Sequence, residues 1–306
     1  MSDSILSQAQ FHNEEAAYAY VEARIWPKGA VCPHCGGVER NKLMGGKSTR
    51  IGLYKCYDCR KPFSVKMGTI FESSHIPLRL WLQAIFLIAS SKKGVSSNQL
   101  HRTLGITLKS AWFMSHRIRE AMKDGGLDIF GSSGGDVEVD ETFIGRDFTK
   151  KPSRGTAHKL AVLALVERGG NVRSFHIDRA DKPLVKRIVN ANVARETLHY
   201  TDGAKWYRNN GMGLAGGHDW VDHSKDEYVR GNVHTNTIEG FFSVFKKGMK
   251  GVYQHCGEQH LHRYLAEFDF RYNNREALGV NDMARTNTAL KGAKGKRVTY
   301  RPITTP

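Results

Sequence analysis

Apolar and polar positions alternate through DVEVDETFIG, residues 136–145, which predicts a strand. Val137 and Val139 fall on one face, Glu138 and Asp140 on the other. The next segment, HKLAVLALVERGGNVRSFHI, reads as two strands around a Gly-Gly turn, an antiparallel hairpin. KPLVKRIVNANV has helical spacing. TLHYTDGAKWY gives a fourth strand that ends at Asp202, and a later helix begins near Asn236. Upstream, LRLWLQAIFLIA from Leu78 reads as a buried helix. SNQLHRTLG reads as a second, ending at Gly105. In ITLKSAWFMSHRIREAMKDGG, Leu108, Ala111, Trp112, Ser115, Ile118 and Met122 recur at helical spacing, which predicts a third.

Two helices joined by a tight Gly-containing turn make a helix-turn-helix candidate. Its last helix would offer Lys109, His116, Arg117 and Arg119 to DNA, although an ordinary helical bundle with a solvated basic face fits the same pattern. The composition favours the first reading. The 306 residues carry 46 Lys and Arg against 30 Asp and Glu, a formal net charge of +16, which makes a polyanion the leading partner class. No apolar run is long enough to span a bilayer. The first residues lack a signal-peptide pattern, so a cytoplasmic location is expected, beside the nucleoid if the source is bacterial, with no membrane partner.

Four of the five cysteines form two short pairs, Cys32-Pro-His-Cys35 and Cys56-Tyr-Asp-Cys59, separated by twenty residues. Two turns that each give two thiolates supply the tetrahedron that zinc prefers, so a structural Zn²⁺ in a zinc ribbon is expected. A redox dithiol would explain one pair but not both. His34 is expected to face solvent, and Cys256 to be only a small side chain.

The chain then divides into residues 1–76 with the zinc ribbon, a helical region 77–130, a mixed domain 131–276 and a basic tail 277–306. The tail is expected to be extended or solvated. The SSGG at 132–135 marks a hinge or loop. The fold class is α/β, in the multidomain α+β sense. In the third part, a three-stranded meander leads through a helix to a fourth strand, and a later helix packs on the sheet. That is the ribonuclease-H-like plan, which places acids on the first strand, at the end of the fourth and on a late helix. Asp140, Asp202 and Glu239 occupy those places.

Three convergent carboxylates suit Mg²⁺ or Mn²⁺, hard cations that bind oxygen, and phosphodiester chemistry with two such ions about 4 Å apart. Each acid has a plainer reading. Glu141 rivals Asp140, Asp202 before Gly can be a turn former, and Asn236-Thr237-Ile238-Glu239 fits a capping box. Phe242 and Lys246 share the helix face of Glu239, so Lys246 would stand beside a scissile phosphate. Lys247 and Lys250 extend that basic surface.

CPHCGG, YKCYDCRKPFSVKMGTIFE, VEVDETFIG, HYTDGAKWY, HSKDEYVRGNVHTNTIEGFFSVFKKGMKGVYQH and YLAEFDFRYNNR together cover most of residues 26–276. They resemble the DDE transposases of bacterial insertion sequences that carry an N-terminal zinc ribbon, the ISXO-type group related to Merlin transposases. The resemblance implies an enzyme that binds terminal inverted repeats, cuts the element's ends and joins the free 3′-hydroxyls to target DNA. It implies at least a homodimer in the synaptic complex. It places the family's acids on Asp140, Asp202 and Glu239 and its lysine on Lys246. The third acidic position can be Glu, Asn or His in this group. Asn236 becomes a secondary candidate for a metal-proximal or capping role, while His223 and His234 are expected to be polar packing. A transposase-derived DNA-binding regulator and a nuclease on the same fold are the alternatives.

Overall fold

The computed structural model describes residues 4–123, 126, 128–204, 207 and 213–298. The chain forms two compact units, 1–123 with 280–306, and 124–279.

In the first unit, α1 (Glu14–Ile25) opens with Asn13 accepting the Ala16 N–H at 2.8 Å. It buries Ala17, Val21 and Ile25, one position per turn. The zinc-ribbon sheet follows as β1 (Asn41–Leu43), β2 (Tyr54–Cys56) and β3 (Pro62–Phe63), antiparallel in that order. Three helices come next: α2 (Leu78–Ser90), α3 (Ser97–Leu104) and α4 (Leu108–Met122). Gly105, at φ +65°, ends α3 in the left-handed conformation that glycine adopts without strain. Thr107 then caps α4 by accepting the Ser110 N–H, so the α3–α4 turn is tight, as a helix-turn-helix requires.

The expected C-terminal tail is different in structure. Residues Asp282–Lys291 form helix α8, which packs against α1, α2 and α4. Asn287 accepts from Tyr20 and Arg24, and Arg285 donates to the Ala89 carbonyl. Further on, Ile70 N–H donates to Ala293 O and Gly295 N–H to Gly68 O. The tail is therefore ordered through its described part because the first unit gives its polar groups partners. Residues 299–306 lie outside the described residues.

The second unit is built on a five-stranded sheet of β4 (Val137–Ile144), β5 (Leu160–Glu167), β6 (Val172–Ile177), β7 (His199–Asp202) and β8 (His218–Val221), in the order β6-β5-β4-β7-β8. The first three strands form the antiparallel meander, and β4–β7 and β7–β8 are parallel. Helix α5 (Lys182–Asn192) makes the crossover to β7. Helices α6 (Asn236–Gly248) and α7 (Glu258–Asn273) complete the unit. Between them, Met249–Tyr253 forms a turn of π-helix.

Each face of the sheet has its own core. Val137, Val139, Leu163 and Leu165 pack with Val185 and Val189 of α5. Ile144, Val162, Ala164 and Val166 pack with Phe241, Phe242 and Phe245 of α6 and Leu265 and Phe268 of α7. The period-two alternation of β4 thus sends its odd residues toward α5 and its even residues toward α6.

Candidate metal centres and nucleic-acid surface

The four cysteines of the two knuckles bring their Sγ atoms within 4.8 Å of one another. Cys32 Sγ lies 3.7 Å from Cys59 Sγ, and Cys35 Sγ lies 3.6 Å from Cys56 Sγ. A tetrahedron with Zn–S bonds of about 2.3 Å has edges of about 3.8 Å, so the donor set and its spacing fit zinc. The first knuckle turns through Gly36 N–H to Cys32 O and Cys32 N–H to Gly37 O. A Cβ on Gly37 would stand 2.6 Å from Asp58 Oδ2, so the two knuckles approach closely there. His34 is exposed, with Nε2 3.3 Å from the Pro62 carbonyl, and is not part of the set. Cys256 packs at the edge of the α6–α7 core.

Asp140 stands in the middle of β4 and Asp202 at the C-terminal end of β7. Val137 and Glu138 pair with His199 and Tyr200, after which the described pairing of these parallel strands stops. Two residues further along each strand, on the face shared by Glu138 and Tyr200, stand Asp140 and Asp202. The place lies at the carboxyl end of β7, beside the part of β4 that runs on past the β4–β7 pairing; carboxyl ends of parallel strands are where α/β sheets hold ligands. Glu141 points to the opposite face, where the Tyr207 hydroxyl donates to its Oε2 at 2.5 Å.

Burial pushes the Asp140 carboxyl well above its ordinary range, and the charges of Glu141, Asp202 and Glu239 add to that. Burial, then the charges of Glu141, Asp140 and Asp202, raise the Tyr207 hydroxyl as well. Asp202 and Glu239 are therefore near enough for their charges to act on Asp140. Among the described residues only the cysteines gather within 4.8 Å, so the carboxylates are more widely spaced. A pair of divalent ions about 4 Å apart suits such spacing, because ligands at opposite ends need not touch. A buried carboxylate with other acids beside it, as Asp140 is, is also a donor whose charge Mg²⁺ or Mn²⁺ would stabilise.

Asp202 Oδ1 accepts the Ala204 N–H at 3.1 Å, so it also shapes its turn. Glu239 does not close a capping box with Asn236. The N-cap is Thr235, one residue earlier, and it makes no side-chain bond to the helix backbone. Glu239 Oε1 instead accepts from Thr235 Oγ1 at 2.7 Å, with His223 Nε2 3.8 Å away. Lys246, Lys247 and Lys250 line the exposed side of α6 and its continuation. Phe242, expected on the face of Glu239, is buried in the core.

Sequence reasoning assigned no role to Glu138 and Arg168. Glu138 is fully buried and accepts from Arg168 Nε at 2.8 Å, Thr237 Oγ1 at 2.9 Å and the Ile238 N–H at 2.9 Å. Arg168 lies 4.1 Å over the Tyr200 ring and donates to the Asn232 and His234 carbonyls. The signal for Glu138 was its place on the Asp140 face. Nothing local in the sequence marks Arg168. His234 Nδ1 lies 3.3 Å from Glu138 Oε1, a packing role.

On α4, Lys109 and Trp112 are exposed, but Arg117 is not. Its guanidinium donates to the carbonyls of Ile70, Glu72 and Val298. Arg117 is thus corrected from a DNA-facing residue to an internal strut, and His116 and Arg119 are buried too. Three carbonyls supplied by distant segments hold this charge inside, and a helical pattern cannot reveal them.

Residues 133–273 match the ISXO2-like transposase domain, and residues 12–62 match the transposase zinc-ribbon domain. The sheet order and helix placement are those of the ribonuclease-H-like transposase fold. The chain belongs to the insertion-sequence transposases that carry an N-terminal zinc ribbon. Over 290 residues it is 27% identical to the "Uncharacterized protein in transposable element ISH50" of Halobacterium salinarum, covering 88% of this chain and 95% of that protein. The four cysteines are its structural zinc site. No helix among the described residues is long and apolar enough to cross a membrane.

Proposed function

We propose that this transposase is a catalytically competent, metal-dependent DNA strand transferase, with Asp140, Asp202 and Glu239 as its cation ligands. The observation that supports the reading is that Asp140 of β4 and Asp202 at the end of β7 share one sheet face, the face on which α6 with Glu239 packs, and that burial first, then the charges of Glu141, Asp202 and Glu239, raise the Asp140 carboxyl. Mg²⁺ or Mn²⁺ bound there supplies charge neutralisation for in-line attack at phosphorus. In the first step a water oxygen forms a bond to phosphorus at the element's end. The 3′-oxygen leaves, takes up a proton as the water gives one up, and becomes the free hydroxyl, while the 5′-phosphate stays on the flanking segment of the same strand, across the cut. In the second step that hydroxyl loses its proton and attacks a target phosphodiester, displacing the target's own 3′-oxygen.

The remaining parts divide the work. Lys246, Lys247 and Lys250 hold DNA phosphates near the acids, and Lys109 contributes from the helix-turn-helix. The zinc ribbon and the helix-turn-helix bind the terminal inverted repeats. Two ends must be held together, so the reaction uses a homodimer or larger assembly. A DNA substrate suits a cytoplasmic protein, associated with the nucleoid if the source is bacterial.

The test incubates the full chain and Mg²⁺ with labelled DNA carrying the element's own ends and a plasmid target. Label joined to the plasmid, lost in Asp140→Asn, is expected. Cut ends without joined product mean a nuclease. Binding with neither product means a regulator.

A further inference from the structure

The entry to α6 divides its labour in an unusual way. A helix start leaves its first N–H groups unsatisfied, and the N-cap side chain normally accepts one of them from an extended backbone. Thr235 occupies that position at φ −117° and ψ 21° and accepts none. The N–H of Ile238, which an N-cap threonine would be placed to satisfy, donates instead to Glu138 of β4 at 2.9 Å. Glu138 also accepts from the Thr237 hydroxyl and is held in turn by Arg168. The helix is therefore capped from the sheet, by a residue two positions before Asp140 on the same strand face.

That arrangement leaves the Thr235 hydroxyl for another use. Thr235 is almost wholly buried, and its Oγ1 donates to Glu239 Oε1 at 2.7 Å. A hydroxyl-to-carboxylate bond of this length is of the charge-assisted kind. The Glu239 side chain itself is 46% exposed, so without such a bond it would sample several rotamers. One oxygen is turned to the protein, and Oε2 has no donor among the described residues.

We propose that Thr235 is a positioning residue for Glu239, released from capping by Glu138, which fixes Oε1 so that Oε2 is presented to a divalent cation. The inference rests on the metal reading of Asp140, Asp202 and Glu239 given above. Glu138 ties the same helix to the strand that carries Asp140, so one clamp sets the spacing between two of the three acids. Groups that orient a metal ligand typically change affinity 10- to 100-fold when removed.

The experiment titrates Mn²⁺ into the zinc-loaded full chain and follows free Mn²⁺ by electron paramagnetic resonance. Thr235→Val keeps the shape and removes the hydroxyl, and Thr235→Ser restores it. Thr235→Val is expected to weaken binding about tenfold. Thr235→Ser should stay within about twofold of the wild type, and the metal-free melting temperature of both should be nearly unchanged, because Thr235 caps nothing. In a Glu239→Gln background, Thr235→Val should have no further effect.

Wild-type affinity in Thr235→Val, alongside a loss in Glu239→Gln, overturns the role of Thr235 and leaves the metal site standing. An equal loss from Thr235→Val in both backgrounds also overturns it, since a general packing defect would act that way. Mn²⁺ binding that survives Asp140→Asn and Glu239→Gln alike overturns the metal reading, and this proposal with it.

Discussion

Replacing Glu138 with alanine tests the structural half of the site. The carboxylate is fully buried and holds three donors: a guanidinium nitrogen, a hydroxyl and a helix N–H. Removing it leaves the Arg168 charge, itself only 16% exposed, without its closest partner, because the Asp136 carboxylate is 3.9 Å away. Breaking a buried pair from one side costs about 3–5 kcal/mol. Part of that loss is recovered, since Arg168 keeps the Asn232 and His234 carbonyls. A net loss of about 3 kcal/mol is therefore expected. For a unit of this size it lowers the melting temperature by about 6–12 °C.

Calorimetry on the zinc-loaded full chain measures the second unit's transition. Hydrogen exchange on peptides covering residues 232–245 should show the Ile238 amide losing protection. Glu138→Gln, which keeps the shape but not the charge, should fall between. A Glu138→Ala protein that melts within about 1 °C of the wild type, with Ile238 still protected, would refute the clamp.

Other expectations follow from the same geometry. Burial and neighbouring carboxylates raise the Asp140 pKa, so its protonated form stabilises the fold at low pH, and that contribution is lost as pH rises through the folded value. Metal-free Asp140→Asn should therefore melt above the wild type by a margin that grows with pH, and Mn²⁺ should raise the wild type only. Burial, then the neighbouring His218, lowers His199 to about 4, so its contribution is present above its ordinary value of 6.5 and fades as pH falls toward 4. His199→Leu should flatten the stability profile across that window in thermal melts. Cys35→Ser should reduce zinc content below one per chain by mass spectrometry and expose residues 30–63 to proteolysis, since such a module depends on its metal. Changing Lys246, Lys247 and Lys250 together to Gln should lower the slope of log affinity against log salt by up to about 3, at about 0.9 per lost phosphate contact. Arg117→Gln should leave that slope alone and cost about 2–4 kcal/mol of stability, as expected for a buried strut.

Where the chain stated its own periodicity, the sequence was a good guide. Alternation in residues 137–144 separated the α5 face from the α6 face, and the two cysteine pairs defined their module without help from the fold. Elements with a diluted pattern were not legible. Strand β8 buries one residue of its four and forms because β7 offers it a partner. Helix α8 buries Arg285 and Thr286 alongside Ala289 and Leu290, so it reads as polar until α1 and α2 supply the acceptors and donors. Helix α1 carries its buried stripe on Ala17, Val21 and Ile25 amid Glu, Ala and Tyr, a weak signal beside the apolar run of α2. The same limit applied at the site. Asp140, Asp202 and Glu239 could be named from element order, but the clamp from Glu138 and Arg168 joins residues far apart in the chain. The capping box expected from Asn236 failed by one position, because the helix takes its cap from β4.

The carboxylate reading is tested most directly by an anomalous difference map from crystals of the full chain grown with end DNA and soaked in Mn²⁺. One or two peaks among Asp140, Asp202 and Glu239, with Glu239 Oε2 as a ligand, are the expected result. Ordered DNA at the site with no peak there, and Glu239 bonded only to Thr235, would contradict it.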